Sequence, residues 1–158
     1  MIEIEITNEQ SRLAIDQERL RAAVDAVMIG HGVSRATISV AVVDDPSIHT
    51  LNARYLQHDY PTDVLSFVLE EGDGYVEGEI IVSADTAATS AARFGWTAQD
   101  ELLLYVIHGA LHLTGHDDHE PTDIAEMRRQ EAHYLATFGL SAPWREAAPE
   151  TLAEGRPS

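Results

Sequence analysis

The chain has 158 residues, no cysteine, and 27 acidic against 10 basic side chains, for a formal net charge of -17. That is one domain's length, and 44% hydrophobic residues can close a single core, which excludes disorder of the whole chain. Disulfides, thiolate zinc sites and a cysteine nucleophile are excluded with cysteine; every basic residue is arginine, so no Schiff-base or phosphate-loop lysine exists, and the acidic excess argues against DNA and tight non-specific phosphate binding.

Met1 to Ile6 lacks the basic and apolar regions of a secretory signal, and Ile2 to Ile6 alternates apolar and acidic residues, the period-2 pattern of a half-buried strand. Asp16 to Ile29 carries Leu20, Val24, Val27 and Met28 at helical spacing, with Gly30 and Gly32 as stop signals. A second strand spans Thr37 to Val43 and closes at Asp44-Asp45-Pro46-Ser47. Ile48 to Leu56 reads as a short helix, and Pro61-Thr62-Asp63 turns the chain into a strand from Val64 to Leu69. Glu70 to Gly78 is expected as a flexible connection to a strand at Glu79 to Val82. Helices follow at Ser83 to Phe94, stopped by Gly95; at about Thr97 to Leu113, capped by Thr97; and from Pro121 through Tyr134 to Phe138. Early strands and late helices give an α+β class, a small mixed sheet packed with about five helices. Residues 1–140 are expected to form a single domain, with 141–158 as a loosely ordered tail. The apolar run Leu102 to Leu113 is too short to span a bilayer, so a cytoplasmic protein without membrane association is expected.

Four of the eight histidines fall in His108-Gly109-Ala110-Leu111-His112-Leu113-Thr114-Gly115-His116-Asp117-Asp118-His119. On a helix, His108 and His112 project from one face a turn apart, close enough for both imidazoles to hold one metal ion. Gly115 lets the chain leave the helix sharply, so that a residue beyond it can complete a three-ligand site with an open position. The spacing His-x-x-x-His-x-x-Gly-x-x-His of helix-borne zinc sites puts the third ligand at Asp118. His119, one residue later, is the alternative and the softer donor. His116 and Asp117 are expected to orient a ligand imidazole. Nitrogen and oxygen ligands without thiolate favour one Zn2+ per chain. A histidine pair inside an apolar helix can also be plain core; the glycine exit and the further ligands after it favour the metal.

These residues resemble the YbeY family of bacterial metal-dependent endoribonucleases. One matching segment is His108-Gly109-x-Leu111-His112-Leu113-x-Gly115-x-Asp117. The other is Leu51-Asn52-x-x-Tyr55-x-x-x-Asp59-x-Pro61-Thr62-Asp63-Val64-Leu65-Ser66-Phe67, followed by Gly78-Glu79-Ile80-Ile81-Val82-Ser83. Met127 also falls where the family has a methionine in its last helix, and the likeness runs from Ile2 to Phe138. It implies a metallopeptidase-like (zincin-like) fold and a zinc held by three histidines. It further implies single-strand-specific RNA cleavage in maturation of the 16S rRNA 3' end and in ribosome quality control, with the small ribosomal subunit or a ribosomal protein as partner. Two positions depart from the family: Asp118 stands at its third histidine, and Leu56 replaces its usual arginine, leaving Arg54 as the nearby substrate-binding candidate.

The mechanism expected is attack on a phosphodiester by metal-activated water. A peptidase of the His-Glu-x-x-His type carries its general base directly after the first histidine, where this chain has Gly109. Asp63 and Asp117 are the candidate catalytic carboxylates, although Pro61-Thr62-Asp63 also makes sense as a turn whose side chains satisfy backbone groups. The competing readings are a metal-dependent hydrolase of peptide or small amide and a non-enzymatic, metal-stabilised ribosome-assembly module.

Overall fold

The computed structural model describes residues 1–56, 63–117 and 119–141. In chain order the elements are β1 (Ile2–Asn8), α1 (Gln17–Gly30), β2 (Arg35–Val43), α2 (Asp45–Leu56), β3 (Val64–Gly72), β4 (Tyr75–Ser83), α3 (Ala84–Phe94), α4 (Ala98–Leu113) and α5 (Pro121–Ala136). The strands form one mixed sheet in the order β1-β2-β4-β3. β1 runs parallel to β2 and β2 parallel to β4, whereas β3 closes an antiparallel hairpin on β4 and is an edge strand.

Alternation along the strands divides the core in two. Ile38, Val40 and Val42 of β2, Val64 of β3, and Ile80 and Val82 of β4 face the layer built from α1, α3, α4 and α5. Val43, Leu65 and Ile81 face the other way and pack with Ile48 of α2. Period-2 alternation with apolar residues on both phases is what a sheet covered on both faces requires.

Helix starts are where local chemistry puts them. Asp16 accepts the Arg19 N–H at 3.2 Å, Ser83 the Thr86 N–H at 3.1 Å, and Thr97 the Asp100 N–H at 3.0 Å, each filling one of the unpaired donors of a first turn. α4 is buried almost all round, from Glu101 to Leu111, because it lies between the sheet and helices α1, α3 and α5. Glu101 is tolerated inside because its carboxylate accepts the Trp96 indole N–H at 2.8 Å.

Two boundaries differ from expectation. The connection expected over Glu70 to Gly78 is mostly strand: Glu70, Glu71 and Gly72 pair with Glu77, Val76 and Tyr75, past a bulge between Val68 and Glu70. The β3 end, Val68 to Gly72, is exposed on both phases, so no alternation marks it; on β4 burial does alternate, with Val76 in the core, but Gly72, Gly74 and Gly78 make the segment read as a turn. α2 begins at Asp45 rather than Ile48, with Pro46 inside its first turn, where a missing N–H costs nothing. Pro61, Thr62, Asp118 and the tail beyond 141 lie outside the described residues, as does the Leu56 side chain. Among the described residues no helix is long and apolar enough to cross a membrane.

Candidate metal centre

α4 delivers both histidines of its last turns to one spot. His108 is buried, at 5% exposure, and His112 is partly open. Their Nε2 atoms are 3.0 Å apart, with the rings nearly perpendicular at 82°. The helix can bring them against the sheet because residue 109 is glycine. A Cβ there would lie 2.6 Å from Ile80 Cγ2 and 3.1 Å from Ser66 Oγ. The Ser66 hydroxyl instead donates to the Gly109 carbonyl at 3.2 Å, tying α4 to the edge strand.

The other nitrogen of each ring is committed. His108 Nδ1 stands 2.5 Å from Oε2 of Glu131, which α5 brings in at 2% exposure. His112 Nδ1 stands 3.0 Å from the backbone carbonyl oxygen of His116. A carbonyl oxygen only accepts and a carboxylate only accepts, so both Nδ1 atoms carry protons. Each Nε2 therefore presents a lone pair to its neighbour, an arrangement that repels unless a cation or a shared proton lies with it. Two imidazole nitrogens at about 2.0–2.1 Å from a tetrahedral zinc stand roughly 3.3 Å apart, a few tenths of an ångström more than the distance here. The donor set thus fits a divalent ion that takes nitrogen ligands, and Glu131 completes a carboxylate–imidazole pair of the kind that orients such ligands.

Gly115 makes the loop that supplies the carbonyl, with φ at +106°, a conformation unfavourable for any side chain bearing a Cβ. Its N–H donates to His112 O and that of His116 to Leu111 O, both at 3.1 Å. The His116 side chain turns away to His31, with the two Nε2 atoms 2.8 Å apart. Burial, and after it the neighbouring His31, holds the His116 imidazole below its ordinary value of 6.5.

Of the two third-ligand candidates, Asp118 lies outside the described residues. His119 is at the surface, its side chain 80% exposed and its Nε2 3.2 Å from Asp117 Oδ1. Asp117 is likewise exposed and faces His119. Among the described residues no group of three metal-binding side chains is assembled. Asp63 is buried just before β3, where its carbonyl accepts the Ser83 N–H at 3.0 Å and joins the starts of β3 and α3. Arg54 sits exposed in the last turn of α2.

Glu131 and His31 are the residues that sequence reasoning overlooked. Glu131 carried a signal: it lies at i+4 from Met127 on the buried stripe of α5 that continues through Tyr134 and Leu135. A carboxylate on an apolar stripe needs a buried partner. His31, at the end of α1, carried none.

A mixed sheet with a buried helix that presents two oriented imidazoles defines an α+β protein organised around a histidine centre. The family model described as Endoribonuclease YbeY matches residues 5–139. The chain belongs to the endoribonuclease YbeY family. Proteins named Endoribonuclease YbeY from Rhodopirellula baltica and Salinibacter ruber are 41% and 36% identical to it. The alignments cover 84% of this chain and 71% of the first relative, and 89% and 94% for the second. The solution structure of TM1509 from Thermotoga maritima superposes with a TM-score of 0.58 at 26% identity, covering 95% of both chains.

Proposed function

We propose that this chain is a zinc-dependent, single-strand-specific endoribonuclease that matures the 16S rRNA 3' end and serves ribosome quality control in the cytoplasm, working with the small ribosomal subunit. The observation that carries the metal reading is the pair of Nε2 atoms at 3.0 Å with both Nδ1 protons already placed. The RNA reading rests on membership of a family whose relatives bear the name endoribonuclease.

His108 and His112 hold the ion, with Asp118 or His119 as third ligand. When bound, zinc supplies Lewis acidity, acidifying water towards neutrality and polarising a phosphoryl oxygen. Glu131 keeps the His108 proton on Nδ1, so that Nε2 remains a donor of electrons throughout. The His116 carbonyl does the same for His112. Gly109 argues against peptide hydrolysis: a glutamate there, the peptidase's base, would begin with a Cβ 2.6 Å from Ile80 Cγ2. Asp63 and Asp117 remain the candidates for handling a water proton, and Arg54 for a phosphate contact.

The experiment compares cleavage of unstructured RNA and of casein by the full chain, each with and without chelator. RNA cleavage lost on chelation, with casein intact throughout, is expected; casein cleavage alone would make the chain a peptidase. Chelation that lowers the melting temperature of a protein cleaving neither substrate would leave only the assembly module. Zinc content in His108→Ala, Asp118→Ala and His119→Ala identifies the ligands. Full zinc in Asp118→Ala would remove Asp118 from the set.

A further inference from the structure

The two imidazoles of the centre are oriented by different means. His108 is held by a buried carboxylate, whereas among the described residues the Nδ1 of His112 meets a backbone carbonyl in a loop that has just left α4 through Gly115. A loop carbonyl fixes a ring only as well as the loop itself is fixed. Besides the Thr114 hydroxyl, which donates to the Leu111 carbonyl at 2.9 Å, a side-chain anchor for the loop comes from the far end of α1. There His31, the C-cap residue, places Nδ1 2.9 Å from the Val27 carbonyl oxygen and Nε2 2.8 Å from His116 Nε2.

Proton positions along this chain follow from the acceptor at its end. Val27 O takes the His31 Nδ1 proton, so His31 Nε2 is an acceptor and His116 Nε2–H the donor. The rings meet edge to face, at 90° and 4.9 Å between centroids. α5 braces the same histidine: the Tyr134 hydroxyl oxygen stands 3.3 Å from His31 Nδ1. Space for that hydroxyl is kept by Gly30, where a Cβ would lie 2.0 Å from it. His31 is thus fixed by α1 and α5 before it reaches His116, and the contact spans 85 residues of sequence.

We propose that His31 is a positioning residue for the metal centre, a strut that acts through His116 to hold the loop whose carbonyl orients the His112 ring. The proposal builds on the metal reading above, but its own content, the hold of His31 on the loop at His116, exists in metal-free protein as well.

The test uses the full chain. His31→Phe keeps a ring in the space and removes the acceptor for His116; His31→Gln keeps an acceptor. Amide hydrogen exchange at Gly115 and His116 of the metal-free proteins reads how firmly the loop is held. Native protein and His31→Gln are expected to exchange slowly there, and His31→Phe about tenfold faster. Zinc affinity, measured by competition with a chromophoric chelator, should fall about tenfold in His31→Phe, the lower end for residues that orient ligands, and stay near native in His31→Gln. Loop exchange unchanged in folded His31→Phe overturns the proposal, whatever the zinc affinity does. Should native protein bind no zinc, the metal reading fails while the exchange comparison still decides the strut. If His31→Phe does not fold, His116→Phe deletes the same bond from the loop side and is read the same way.

Discussion

Replacing Gly109 by alanine sets two effects of known sign against each other. Inside a helix, alanine is favoured over glycine by about 1 kcal/mol. Here the new Cβ would meet Ile80 Cγ2 at 2.6 Å, Ser66 Oγ at 3.1 Å and Val64 Cγ2 at 3.2 Å. Ordinary carbon contacts lie at about 3.5–4.0 Å, so roughly 1 Å of relief is needed at Ile80. Ile80 cannot supply it, being fully buried on a strand paired on both sides. The helix must lift instead, stretching the Ser66–Gly109 bond and drawing His108 from its place against Glu131. Overpacking of this kind costs about 1–3 kcal/mol, leaving a net loss of about 1 kcal/mol, or roughly 2–4 °C in Tm for a chain of this size. Urea and thermal unfolding measure the loss, and chelator competition should show weaker zinc binding. A Gly109→Ala protein more stable than native, with unaltered zinc affinity, would refute the close approach of α4 to the sheet.

Glu131→Gln is expected to retain the fold and weaken zinc binding about 10- to 100-fold, as loss of a ligand-orienting carboxylate does; equal affinity by chelator competition would dissociate Glu131 from the centre. Glu131→Ala also strips the buried His108 N–H of this acceptor and should cost about 1–3 kcal/mol in urea unfolding. Thr97→Ala removes the cap of α4 and should lower stability by about 1 kcal/mol, visible as a shifted urea midpoint with unchanged slope. Asp44, just before α2, is held below its ordinary 3.8 by the Ser47 hydroxyl and then the Ser47 N–H. A carboxylate depressed in the folded state contributes stability above its unfolded value and loses it as pH falls through the folded one. The Tm difference between native protein and Asp44→Ala should therefore be present at neutral pH and vanish in acid below 3.8; a difference that persists there would point to packing rather than charge.

The parts of the fold legible in the sequence were those with one clear periodicity or one local chemical stop. β1, β2 and α1 announce themselves by alternation or helical spacing, and Asp16, Thr97 and Gly95 mark boundaries through bonds to their own neighbours. The β3–β4 hairpin end was illegible because the end of β3 is exposed on both phases and three glycines, Gly72, Gly74 and Gly78, outweigh the alternation of β4 around the buried Val76. Within the centre, His108 and His112 were legible since helix geometry alone puts i and i+4 side by side. Their orienting partners were not. Glu131 lies 23 residues from His108 and His31 lies 85 from His116, and no local rule relates residues that only the packing of α1, α4 and α5 brings together. The carbonyl holding His112 is invisible to residue-type reasoning altogether, being backbone.

The same limit applies to charge. A net charge of -17 says little about RNA until the arginines are placed. Arg12 pairs with Asp85, Arg19 with Asp100, Arg21 with Glu18 and Arg129 with Glu126, while Arg35 and Arg93 lie over the rings of Tyr75 and Phe94. Apart from the partly buried Arg19–Asp100 pair, the ion pairs lie at the surface, where each is worth at most about 1 kcal/mol, so a phosphate can displace a carboxylate, but each exchange returns little. Single-strand binding gains about 0.7 of a logarithmic unit of salt dependence per phosphate neutralised, and among the described residues the arginines, already partnered, offer few such contacts. Binding of naked RNA by this surface is therefore expected to be weak and only shallowly dependent on salt, which a filter-binding titration across salt concentrations checks. Under the function proposed above, selection of the strand would then rest on access to the partly open His112 and on whatever partner presents the RNA there.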